Sequence, residues 1–209
     1  MNQVVKKIRK WQRWLQDSAV CSNPALGLDR RAELFVGLFE SQLPQHSRIL
    51  DLGGGWGFYV EPLVQRGHQV IVLDVVKPAI QKAPVVIYEG EKIPFNDKSF
   101  DATLLITVLH HMADPEAIIQ EARRVTRKTL IVIEDIYHHG LGRWWTVLRD
   151  CIYNFEFFGH PCCFKKTQEW IDLFQKLGFV LRDKTEIYTW LAGLRILNGV
   201  FVFDVKEAA

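Results

Sequence analysis

The spacing of hydrophobic positions changes along this chain, and the changes divide it into elements. Val4, Ile8, Trp11 and Leu15 recur at helical intervals among basic residues, so residues 3–17 read as an amphipathic helix. Ser22, Asn23, Pro24 and Gly27 interrupt it. Asp29 is placed to cap a second helix over about 30–42, with Leu34, Phe35 and Leu38 on its inner side. After Pro44 the pattern shifts to short apolar strands at 48–52, 69–74, 84–88, 101–106 and 129–134. Helices over 57–66, near 78–82 and over 115–125 fall between them, and Pro62 inside the first predicts a kink or a late start. The runs at 104–106 and 130–133 are apolar throughout, which suits parallel strands covered on both faces. A helix over 168–177 stops at Gly178. Strands near 179–188 and 197–205 follow, with a turn containing Gly193 and the Asn198-Gly199 pair. This alternation predicts a three-layer α/β sandwich.

Composition changes that picture little. The 209 residues suit a single domain with a substantial core, and 48% hydrophobic with 24% charged residues is ordinary for a globular chain. No apolar run approaches the ~20 residues of a membrane span. The N-terminus lacks the apolar core of a signal peptide, so a cytoplasmic location and reduced cysteines (21, 151, 162 and 163) are expected. Net charge is +2, but residues 1–31 carry Lys6, Lys7, Arg9, Lys10, Arg13, Arg30 and Arg31 against Asp17 and Asp29. A basic excess confined to one end is not a broad nucleic-acid footprint, and no nucleic-acid partner is expected.

The chemistry concentrates after the first strand. Asp51 ends it, and glycines stand at 53, 55 and 57 before an apolar helix. Glycine lets the backbone turn sharply and approach a ligand closely, while the helix offers free N–H groups and a positive dipole end. A dinucleotide fingerprint needs G-x-G-x-x-G, but residue 58 is Phe. A carboxylate at 51 would also repel a pyrophosphate; it suits a ligand with a positive amino or sulfonium group. Asp74 ends the second strand about 20 residues on, as ribose recognition requires.

Together these residues resemble the class I S-adenosyl-L-methionine (SAM)-dependent methyltransferase family. The resemblance covers roughly 47–136: the acid and G-x-G-x-G run, the second-strand acid, and the segment from Tyr88 to Phe95. It continues through the fourth strand with its His110-His111 end, and Asp114-Pro115 before the next helix. It departs at 126–129, where Thr-Arg-Lys-Thr replaces the family's frequent Pro-Gly-Gly turn. The resemblance implies a seven-stranded, mostly parallel Rossmann-like sheet in the order 3-2-1-4-5-7-6, the last strand antiparallel. It implies SAM as cofactor, held by Asp51, Gly53, Gly55, Gly57, Asp74, Glu89 (on the adenine side) and Thr107. A small, hydrophobic or aromatic acceptor is the expected partner. Protein or RNA methylation and a SAM-binding, non-catalytic subunit are the alternatives.

Methyl transfer from a sulfonium is an in-line displacement that depends mainly on alignment, and a base is needed only for a protonated, poor nucleophile. Candidates at the strand ends are His110, Asp135, His138 and His139, with His111 expected to be structural. A zinc set drawn from His138, His139, His160 and Cys162 or Cys163 matches no standard spacing, so no metal is expected. Residues 136–166 form an aromatic-rich insertion, read as an auxiliary core that also walls the substrate cleft. Residues 1–45 form a helical cap; its first helix covers the sheet or cleft, closes over substrate, or touches an anionic membrane weakly.

Overall fold

The computed structural model describes residues 26–78, 81–112, 114–154 and 163–206. The helix expected at 3–17 lies outside them. Helix α1 is Leu28–Phe39, continued by a 3₁₀ turn at Glu40–Gln42. Then come β1 (Arg48–Leu52), α2 (Val60–Gln65), β2 (Gln69–Asp74), β3 (Val85–Ile87) and β4 (Phe100–Ile106). A 3₁₀ turn at Leu109–His111 precedes α3 (Pro115–Val125), β5 (Thr126–Asp135) and α4 (Gly140–Asn154). The chain finishes with α5 (Thr167–Lys176), β6 (Phe179–Leu191) and β7 (Leu194–Val205). The seven strands form one sheet in the order β3-β2-β1-β4-β5-β7-β6, as the resemblance implied. β1 to β5 run parallel, and β7 inserts antiparallel between β5 and β6.

Both faces of the sheet are covered, and successive residues of one strand serve opposite sides. Leu50, Leu130 and Val132 pack with Ile118, Ile119 and Ala122 of α3 and Trp170 and Phe174 of α5. Ile49, Ile131 and Ile133 pack with Phe35, Val36 and Phe39 of α1 and Leu63 of α2. Uninterrupted apolar runs are what such two-sided burial demands.

Several boundaries differ from the sequence reading. Asp29 does not cap α1; Gly27 does, at φ 71°, and Asp29 falls inside the first turn. α2 starts late, so Pro62 sits in its first turn, where a missing N–H costs nothing. The short helix expected near 78–82 is not formed at the residues described there. Where a Pro-Gly-Gly turn was the family habit, α3 runs straight into β5, and the Thr126 hydroxyl donates to Ala122 O (2.5 Å) and meets Thr103 Oγ1 (2.6 Å). The β6–β7 turn is Ala192-Gly193 alone, both at positive φ (47° and 77°), the geometry of a two-residue hairpin. Asn198-Gly199 is not a turn but lies inside β7. Its reason is packing: a Cβ at Gly199 would meet the Phe201 ring at 2.7 Å, and buried Asn198 bonds across to Asp135.

Candidate functional site

The carboxyl ends of β1, β2, β4 and β5 open on one cavity of about 460 Å³, within the size range of small-molecule sites. This is the point where strand order reverses, because β1 is followed on one side by β2 and on the other by β4. Gly53, Gly54, Gly55, Trp56, Phe58 and Tyr59 form one wall. Asp74, Val75, Val76, Pro78 and Tyr88 line the part beside β2 and β3. Thr107, His110, His111, Asp135, Arg149 and Asp150 line the other part, closed by Tyr153, Leu191 and Ile196.

The glycine loop is shaped by its neighbours. Gly53 has φ 74°, and a Cβ there would lie 2.7 Å from a Val108 methyl. At Gly54 a Cβ would stand 2.2 Å from Asp51 Oδ2 and 2.8 Å from Val72 Cγ1. Gly54 is the residue that sequence reasoning passed over as a spacer; only the position of the Asp51 carboxylate reveals why it has no side chain. Asp74 ties the loop to β2, its Oδ2 accepting from Gly55 N (3.0 Å) and its Oδ1 from Val76 N (3.0 Å).

Asp51 itself is buried beneath the loop rather than exposed in the cavity, and its Oδ2 has no hydrogen-bond partner. Burial, helped by the neighbouring negative charge of Asp74, pushes its pKa up to about 7. An orphaned carboxylate under a loop closed to any Cβ at Gly53 and Gly54 fits a cationic ligand lying on that loop. Thr107 adopts φ 54°, a costly conformation for a β-branched residue, and donates its N–H to Ile133 O (2.7 Å). Such strain at a strand end beside a cavity marks a positioned backbone.

Glu134 organises the other half. It is fully buried; Oε1 accepts from Val108 N (3.0 Å) and Leu109 N (2.7 Å), and Oε2 accepts from His110 Nδ1 (2.5 Å). His110 Nε2 lies 3.6 Å from Asp150 Oδ1, an ion-pair distance rather than a hydrogen bond. Burial, the largest influence on His110, favours the neutral ring, yet Glu134 and Asp150 together outweigh it and raise the pKa to about 10. With Nδ1 engaged by Glu134 and Nε2 facing Asp150, both ring nitrogens of His110 are directed at acids of the protein itself.

Asp135 is also occupied. Arg149 donates to Oδ2, Asn198 Nδ2 donates to Oδ1 (2.6 Å), and Arg31 stands 3.8 Å away. Arg31, read in the sequence only as part of the basic N-terminal excess, and Arg149, not singled out there, are brought in from α1 and α4 and are almost buried. His138 and His139 are exposed and do not line the cavity; His138 Nε2 is 3.3 Å from Glu186 Oε2 on β6. Glu89 is exposed too, and Tyr88 is the residue of its segment that faces the cavity. Gly57 sits behind the loop wall at φ 78°, close against Ala83. In the insertion, Trp144 and Trp145 are exposed rather than packed in an auxiliary core. Phe164 is buried against the His110 ring (4.6 Å between centroids), and Tyr153 O–H donates to Leu191 O (2.5 Å). Phe155, Phe157, Phe158, His160 and Cys162 lie outside the described residues.

Fold and site define an α/β domain with a nucleotide-type cofactor cleft at its switch point. Residues 50–133 match the methyltransferase domain family. A methyltransferase of Mycobacterium tuberculosis is 37% identical over 87 residues, 38% of this chain and 35% of that protein. The tRNA 5-carboxymethoxyuridine methyltransferase of Escherichia coli O157:H7 is 29% identical over 183 residues, 77% of this chain and 65% of that protein. The chain thus spans about a third to two thirds of the length of these relatives. A SAM-dependent methyltransferase structure from Thermotoga maritima, a possible histamine N-methyltransferase, superposes with TM-score 0.69 at 22% identity, over 92% of this chain and 98% of that one. Residues 50–133 thus carry a methyltransferase domain, and the seven-stranded sheet around it has the fold of SAM-dependent methyltransferase structures. Among the described residues, no helix is long and apolar enough to cross a membrane.

Proposed function

We propose that this protein transfers a methyl group from SAM to a small acceptor with an apolar body. The observation that carries the reading is the glycine loop laid over the buried, unpartnered Asp51 and tied by Asp74, at a cavity that continues past Thr107. In this reading Asp51 acts through the loop on the cofactor's positive amino end. Asp74 takes the ribose hydroxyls, and Val75, Val76, Pro78 and Tyr88 flank the adenine, with Glu89 at its outer edge. When bound, SAM supplies an electrophilic methyl group on a sulfonium. The chain's own part is to orient the acceptor against that methyl and keep water out. Tyr153, Leu191 and Ile196 wall the acceptor's apolar body, and the Arg31–Asp135–Arg149 cluster holds a polar end.

No base is assigned to His110, whose Nδ1 is engaged by Glu134 and whose Nε2 faces Asp150. His138 and His139 would need a movement of their loop to reach the cavity. Alignment therefore does most of the work, which suits an acceptor whose attacking atom is already nucleophilic. RNA methylation is the second reading, favoured by the substrate named for the Escherichia coli relative. Incubation with a labelled methyl donor separates the two. Label in organic-extractable product from small-molecule acceptors supports the first, and label retained in RNA supports the second. Cofactor binding with no label in either fraction would leave the domain as a non-catalytic subunit.

A further inference from the structure

We propose that His110, His111 and Asp150 form a binding site for a divalent transition-metal ion of the zinc type, on the acceptor side of the cavity. Their ligand atoms all lie within 4.8 Å of one another, and all three residues line the cavity. They come from different elements, the 3₁₀ turn after β4 and the later part of α4, so the convergence is made by the fold and not by sequence spacing. His110 Nε2 and Asp150 Oδ1 are 3.6 Å apart. Two ligands at about 2.0–2.2 Å from a tetrahedral zinc are themselves about 3.4 Å apart, so the pair already stands near ligand separation.

The surroundings are those a metal-bound imidazole uses. Glu134 accepts from Nδ1 of His110 (2.5 Å), which fixes the ring and directs Nε2 toward Asp150. Glu134 is in turn held by two backbone N–H groups. Asn154 Nδ2 donates to Asp150 Oδ1 (2.8 Å), and Phe164 stacks on the His110 ring at an interplanar angle of 19°. Two imidazoles and one carboxylate suit zinc or ferrous iron, whereas magnesium prefers an all-oxygen shell. Among the described residues three side chains offer ligands, the number that zinc sites acting on substrates draw from the protein. An entering ion replaces the Nε2 proton and takes its place between His110 and Asp150.

Ion binding does not depend on the methyl-transfer reading, and its test reads metal rather than turnover. Tag-free, full-length protein is stripped with a chelator and titrated calorimetrically with Zn²⁺, with Mg²⁺ as control. One equivalent of Zn²⁺ and no Mg²⁺ is expected. His111→Gln and Asp150→Asn should each weaken Zn²⁺ by more than about 100-fold, and Glu134→Gln by about 10–100-fold. Melting temperature and S-adenosylhomocysteine binding show that each variant is folded. His111 is only partly buried, so its variant keeps the test open should Asp150→Asn misfold. Folded protein that takes up no Zn²⁺, or uptake unchanged in a folded variant, would overturn the proposal.

Discussion

Replacing Asp51 by Asn should remove a proton linkage from cofactor binding. The carboxyl is buried, its Oδ2 is unpartnered and its pKa is pushed up to about 7, so near neutrality the ligand-free protein is a mixture of protonated and ionised forms. A cation on the loop favours the ionised form, so binding expels the remaining proton. If only that form binds, apparent affinity scales as 1/(1 + 10^(pKa − pH)). With a pKa of about 7 the factor is about 1/33 at pH 5.5 and about 1/1.3 at pH 7.5, a change of about 25-fold, or about 2 kcal/mol. Titration with S-adenosylhomocysteine at several pH values, in buffers of different ionisation enthalpy, measures both the affinity and the protons released. Wild type should release up to one proton at pH 5.5 and few at pH 8, and Asp51→Asn should bind weakly with a flat profile. A wild-type profile that is flat across this range, or a slope retained in Asp51→Asn, would refute the reasoning.

Other expectations follow from the same geometry. In the ligand-free protein, Asp51 keeps its proton between its unfolded pKa of 3.8 and about 7 while the unfolded chain has lost it. Its contribution to stability therefore falls as pH rises through that window, by about 4 kcal/mol in all, and denaturant curves for wild type and Asp51→Asn should converge toward low pH. Gly54→Ala must displace the Asp51 carboxylate or the loop, and should abolish measurable cofactor binding while Gly37→Ala, on open α1 surface, leaves it intact. Glu134→Ala removes the acceptor for two backbone N–H groups and the partner of a buried imidazolium, and should lower unfolding free energy by about 3–5 kcal/mol. Trp144→Ala, at a side chain 77% exposed, should shift stability by less than about 0.5 kcal/mol; a larger loss in urea melts would mean that it is covered in solution.

Legibility in the sequence followed how local each cause was. Strands β1 and β2 and helix α3 were readable to the residue, because burial on both faces makes their apolar runs unbroken and Pro115 and Gly53 mark their edges. Sheet order came only with the family resemblance, since periodicity carries no information about which strands pair. The hairpin was misread because Asn198-Gly199 has the composition of a turn, while its glycine is demanded by the Phe201 ring and its Asn by Asp135, 63 positions away. Gly53, Gly55, Asp74 and Thr107 were legible as one cleft because they lie at or just beyond strand ends. Arg31, Arg149 and Asp150 were not, for their roles come from contacts between elements distant in sequence, and Gly54 was not, because only the folded position of the Asp51 side chain closes its space. The histidines show the same limit. His110 looked available at a strand end, and only Glu134 and Asp150, 24 and 40 positions later, take up the two sides of its ring.

The central claim is that this loop and these acids hold SAM, and the most direct test is calorimetric titration of the full-length protein with S-adenosylhomocysteine, with NAD as control. The account predicts saturable 1:1 binding of S-adenosylhomocysteine alone, weakened by about 1–3 kcal/mol in Asp74→Asn as charged hydrogen bonds are lost. No binding by folded protein, or equal binding by Asp74→Asn, would contradict it.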